Sequence, residues 1–118
     1  MSRPLRLSEK VEQARIVQLL RTIGATVYVL GHPSPNDGRT HRGTGQTAGI
    51  ADLEAFLPKP TRAGQTLGFL KIEVKAAGGQ LSAPQHWYQS MCQAADVPHL
   101  VGGLVVVEAW RRQRGYVK

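Results

Sequence analysis

The stretch Leu70-Lys71-Ile72-Glu73-Val74-Lys75 constrains this chain more than any other. Its strict alternation predicts an extended segment with Leu70, Ile72 and Val74 on one face and Lys71, Glu73 and Lys75 on the other. A carboxylate and an ammonium two residues apart then point the same way from one strand. Upstream, Gly49-Ile50-Ala51-Asp52-Leu53 sets a second acid in an otherwise apolar run. An unpaired buried carboxylate is costly, and a metal ion or a lysine partner answers that cost. If the segment carrying Asp52 pairs beside residues 70–75, two carboxylates and a lysine converge. That set is sufficient to hold a divalent cation and position a water.

The remaining elements are read from their boundaries. Ser8 is an N-cap, Glu9 falls in the first turn and Gly24 ends the first helix. Its buried stripe is Ile16, Leu19, Leu20 and Ile23, which extends backward to Glu12 or Gln13 and then Glu9. Either these acids form a solvated first turn favoured by the helix dipole, or one of them faces the edge of a site. Residues 25–30 are the first strand. Residues 31–48 lose periodicity and hold Arg39, His41 and Arg42 among glycines. That suits close approach to a phosphate backbone, the alternative being a surface loop with solvated charges.

A second strand covers residues 50–57, stopped by Pro58 and Pro60, with Lys59 and Arg62 adding basic charge in the turn. The third strand covers residues 66–76 and breaks at Gly78-Gly79. Ser82 caps a second helix over residues 83–95, with Trp87, Tyr88, Met91, Cys92 and Ala95 as its apolar side. Gln85 stands three residues after Ser82, the spacing of a capping box, so its role is either that cap or a place in the site. Cys92 reads as a core thiol. Residues 97–101 form the fourth strand. Residues 104–114 form a final helix, although Val105-Val106-Val107 would also suit a strand. The first three strands follow without intervening helices and can meander antiparallel. The second helix is then a crossover that brings the fourth strand in parallel. The expected fold is α/β, a mixed four-stranded sheet flanked by helices, in one domain spanning residues 1–118.

The chain has fifteen Lys and Arg against eight Asp and Glu, a net charge of +7, and a pI near 10.2. A basic small domain is expected to meet a polyanion, most often nucleic acid. Acids facing phosphate would oppose that binding unless a metal stood between them. The single cysteine excludes an internal disulfide and a multi-cysteine zinc site. No apolar run approaches the roughly 20 residues that span a bilayer, and the first seven residues lack the apolar segment of a signal peptide. A cytoplasmic protein without a membrane partner is expected.

These residues, in this order, resemble the PD-(D/E)XK nuclease superfamily and, more narrowly, a stand-alone virus-type replication–repair nuclease (VRR-NUC) domain. The resemblance covers about residues 8–114. It rests on Glu9 and Gln13 four apart in a helix, Gly-Ile-x-Asp-Leu at 49–53, and Ile72-Glu73-Val74-Lys75. Gly79-Gln80-Leu81-Ser82 leading to Gln85 and the strand-then-helix tail complete it. Two positions depart from the pattern: Ala51 stands where a proline usually precedes the aspartate, and Glu12 stands where relatives tend to have an apolar residue.

The resemblance implies a restriction-endonuclease-like αβββαβ core with an additional C-terminal helix. It implies Mg2+ or Mn2+ bound by Asp52, Glu73 and the Val74 carbonyl, with Glu9 or Glu12 reaching the metal from the first helix. Lys75 would position the attacking water, and Gln85 would orient Lys75 or the DNA strand. Arg39, His41, Arg42, Lys59 and Arg62 would contact nucleic acid. The implied activity is endonucleolytic hydrolysis of DNA, selective for branched structures such as four-way Holliday junctions, by a compact single-domain nuclease of a kind typical of phage or prophage genomes. The two-fold symmetry of a junction makes a homodimer the expected form. A restriction-like or flap nuclease and a non-catalytic basic nucleic-acid-binding protein are the alternatives.

Overall fold

Ser8 opens the first helix by accepting the Val11 N–H on its hydroxyl at 3.2 Å. A computed structural model of the chain describes residues 8–30, 49, 51–58 and 68–116. Helix α1, Glu9–Thr22, closes with paired bonds from the Gly24 N–H to the Arg21 carbonyl and the Ala25 N–H to the Leu20 carbonyl. That pairing satisfies carbonyls a helix end would otherwise leave open. Strand β1, Thr26–Val29, follows directly, then β2, Leu53–Phe56, and β3, Phe69–Val74. Helix α2, Ala83–Ala94, crosses over to β4, His99–Gly102, and α3, Leu104–Gln113, ends the fold.

The sheet order is β1-β2-β3-β4, antiparallel across the first two pairings and parallel across the third. The fold is therefore α/β with a mixed four-stranded sheet and three helices. The strands are shorter than their apolar runs. The second spans four residues, with Asp52 in a bend before it, and the third spans six. Residues 104–113 are helical despite three consecutive valines, because Val107 and Trp110 enter the core from one helical face.

One face of the sheet, carrying Val27, Leu53, Ala55, Leu70, Ile72 and Val74, packs with Ile16, Leu20 and Ile23 of α1 and Val107 and Trp110 of α3. Alternation turns Glu54, Lys71 and Glu73 to the opposite face. There α2 lies over the β4 side. The expected apolar side of α2 is corrected in part. Cys92 is buried, but Trp87 is 69% exposed and Met91 51% exposed, and Ala95 is exposed as well. The helix meets the sheet through a narrower arc than its apolar residues span, so a sequence list of those residues overstates the buried side.

Two glycines allow close approaches that shape the site. Gly49 has φ 86°, and a Cβ there would fall 2.5 Å from the Pro84 carbonyl. Gly49 can therefore lie against the first turn of α2. A Cβ at Gly103 would fall 2.6 Å from Glu12 Oε1, so α1 and the start of α3 also meet closely. Among the described residues, no helix is long and apolar enough to cross a membrane.

Candidate metal centre

The register of β2 on β3 pairs Leu53 with Ile72 and so sets Asp52 opposite Glu73. The Asp52 carbonyl accepts the Leu30 N–H at 2.8 Å, and its Oδ2 accepts the Val74 N–H at 2.8 Å. The aspartate thus binds both neighbouring segments just before β2 begins. Lys75 is held by its own N–H, which donates to the Gly102 carbonyl at 3.1 Å and prolongs the parallel pairing past β3.

These residues line an open cleft of about 700 Å³ together with Glu9, Lys10, Gln13, Val29, Val74 and Gln85. Of the residues expected at the site, Glu9, Asp52, Glu73, Val74, Lys75 and Gln85 therefore share one cleft. Glu12 does not line it. Its Oε1 accepts the Leu104 N–H at 3.0 Å and caps α3, whose N-cap residue Gly103 has no side chain to do so. Arg39, His41, Arg42, Lys59 and Arg62 lie outside the described residues.

Gln85 combines the two roles that its spacing left as alternatives. It completes a capping box with Ser82, and its Nε2 donates to Glu73 Oε2 at 3.0 Å. Glu73 is only 3% exposed, and its Oε1 is buried without a hydrogen-bond partner. Buried polar atoms are normally satisfied, so this oxygen calls for an explanation. Burial, and next the Asp52 carboxylate beside it, push the Glu73 carboxyl up to about 8; Glu9 adds to the rise and Lys75 opposes it. A carboxylate pair that resists double ionisation is relieved by a cation.

The donor set fits a hard divalent cation, with two carboxylates side by side and one bare buried oxygen. The set is small: among the described residues, no group of three or more His, Cys, Asp or Glu side chains is arranged to hold a metal ion. Glu9 acts on Glu73 through its charge, from the rim of the cleft.

One row further along the same sheet face lies a polar cluster that sequence reasoning did not anticipate. Lys71 pairs with Glu54 directly across β2 and β3, rather than joining Glu73. Burial works against the Lys71 charge, but Glu54 and Tyr88 outweigh it and hold its pKa above the usual lysine value. His99 stacks obliquely near Tyr88, with ring centroids 5.5 Å apart, and both of its ring nitrogens are buried without partners. Burial, then the Lys71 charge, hold His99 below the usual histidine range. The Glu54–Lys71 pair was within reach of sequence, because aligning Asp52 opposite Glu73 aligns these two as well. His99 had no such signal.

Comparison of the chain with protein-family models, with curated proteins and with solved structures gives no match.

Proposed function

We propose that this chain is a metal-dependent DNA endonuclease of the VRR-NUC type, with a restriction-endonuclease-like core. It hydrolyses phosphodiester bonds, selects branched DNA such as four-way junctions and acts as a homodimer in a bacterial or phage-infected cytoplasm. The observation that carries this reading is the Asp52–Glu73 pair in an open cleft beside Lys75, with one buried Glu73 oxygen lacking a partner. The order of elements and the net charge of +7 support it further. A four-way junction has two-fold symmetry and needs paired cuts, which a symmetric dimer supplies.

Asp52, Glu73 and the Val74 carbonyl would hold Mg2+ or Mn2+. When bound, such an ion supplies positive charge to the phosphate oxygens and lowers the pKa of water. Lys75 holds the attacking water through its ammonium group and offsets the charge that builds on the phosphate. Gln85 holds Glu73 in place. The water oxygen bonds to phosphorus as the bond to the 3′ oxygen breaks. The water gives up its proton to solvent and the 3′ oxygen takes one from solvent, leaving a 5′-phosphate and a 3′-hydroxyl.

The test uses labelled four-way junction, flap and linear duplex, each with Mg2+, Mn2+ or EDTA. The junction should be cut with metal and left whole in EDTA. Lys75→Ala should be slower by at least about 100-fold. Cutting in EDTA, or equal cutting by Lys75→Ala, would sink the mechanism. Preference for the flap or the linear duplex would point to the flap-type or restriction-like alternative. The basic charge alone also suits a non-catalytic nucleic-acid-binding protein, which would bind all three substrates and cut none.

A further inference from the structure

The capping box at the start of α2 uses the Gln85 backbone N–H and one end of its side-chain amide. The Gln85 N–H donates to Ser82 Oγ at 3.3 Å, and the Ser82 N–H donates to Gln85 Oε1 at 2.8 Å. The carbonyl end of the amide is therefore taken by the helix cap. The other end, Nε2, donates to Glu73 Oε2 at 3.0 Å. Turning the amide over would break both contacts together. Nε2 would then face the Ser82 N–H, donor against donor, and Oε1 would face a carboxylate oxygen, acceptor against acceptor. The cap thus decides which end of Gln85 meets Glu73.

That choice reaches the cleft. With Oε2 engaged by the amide, Oε1 is the Glu73 oxygen that remains without a partner. We propose that the backbone N–H of Ser82 is a positioning group of the site: through the Gln85 amide it engages Glu73 Oε2 and reserves Oε1 for a cation. The inference rests on reading Glu73 as a cation ligand. It assigns a site role to a main-chain group that has no contact with the cleft. It also links the first turn of α2 to cation affinity, because a change in the cap would alter how Glu73 is presented.

Ser82 has φ −73°, an angle proline also adopts, so Ser82→Pro removes the N–H with little demand on the backbone at that residue. Ser82→Ala removes the hydroxyl and keeps the N–H. The experiment records the Gln85 side-chain amide by 1H–15N NMR and titrates the full-length chain with Mn2+ by calorimetry, with circular dichroism to check the fold. Wild type should show two resolved, slowly exchanging Nε2 protons. Ser82→Ala should retain them, and Ser82→Pro should shift them toward solvent-averaged positions. Mn2+ binding should weaken about tenfold in Ser82→Pro and in Gln85→Met, and by less in Ser82→Ala.

A Ser82→Pro protein that keeps both the amide signals and wild-type Mn2+ affinity overturns the proposal. Wild type alone also tests it, because solvent-averaged Gln85 protons beside a protected Ser82 N–H would overturn it without any variant. Wild-type protein that keeps its amide signals but binds no Mn2+ overturns the cation reading of Glu73. Lost amide signals with intact Mn2+ binding overturn the positioning role alone.

Discussion

Glu12 Oε1 and the Leu104 N–H meet at 3.0 Å across 92 positions of sequence. An acid from the first helix thereby caps the last one, while Glu9, three residues earlier, faces the cleft. The two glutamates should separate by assay. Glu12→Ala should lower stability by about 1–2 kcal/mol in urea unfolding, the usual cost of a lost helix cap. Glu9→Ala should stay within about 0.5 kcal/mol of wild type, as an exposed first-turn residue does, but weaken Mn2+ binding. The reverse pattern would exchange their roles.

Glu73 gives the cation-free protein a pH dependence of defined sign. Its carboxyl stands at about 8 in the fold against 4.5 for the free side chain. The folded state therefore binds a proton that the unfolded chain releases. The resulting stabilisation is complete below about pH 4.5 and is lost as the pH rises through about 8. His99 works in the opposite sense below its ordinary value, because its folded pKa is lowered. The useful quantity is accordingly the difference between wild type and Glu73→Gln in EDTA. That difference should move against wild type from pH 5 to 8, by at most ~1.4 kcal/mol per pH unit. A flat difference would show that Glu73 ionises at its ordinary pKa.

The Glu54–Lys71 pair is partly buried between the sheet and α2, and Tyr88 shares it. Removing one member leaves the other charge poorly solvated. Lys71→Met should cost about 1–3 kcal/mol, and adding Glu54→Gln should restore part of the loss. A thermodynamic cycle over the two sites should give a coupling of about 1 kcal/mol. Additive losses would mean that the pair contributes no more than its separate packing.

The two tryptophans report on different surroundings. Trp87 is 69% exposed on α2, whereas Trp110 is 8% exposed and stacks with Tyr116 at 5.7 Å. Iodide should quench Trp87 and spare Trp110, and Trp87→Phe should shift the remaining emission to the blue. Its effect on stability should be within about 0.5 kcal/mol. Strong protection of Trp87 from iodide in the isolated protein would show that this face of α2 is covered in solution, as a dimer interface there would require.

Local signals made much of the fold legible. Ser8 and Gly24 bound α1, the alternation around Ile72 gives β3 two distinct faces, and the absence of helices between the first three strands gives the meander. What sequence did not supply was the choice of neighbour. Glu9 and Glu12 are both acids in one helical turn, and their difference lies in Leu104, which no local pattern connects to either. The apolar residues of α2 likewise do not say which arc meets the sheet, so Trp87 and Met91 belong to its apolar side by sequence and stand in solvent. For Gln85 the spacing offered a cap or a site contact, and a planar amide with two unlike ends accommodates both.

The pairing of β2 with β3 has a further consequence for how the site tolerates error. The alternation that turns Glu73 toward the cleft also turns Ile72 and Val74 into the core. A slip of one residue between the strands would face Glu73 into the apolar layer and bring Ile72 out to solvent. The misplaced site would therefore belong to a chain with a ruined core. The hydrophobic effect thus acts as a proofreader for the site, rejecting the slipped pairing before Asp52 and Glu73 could be misaligned in a folded protein.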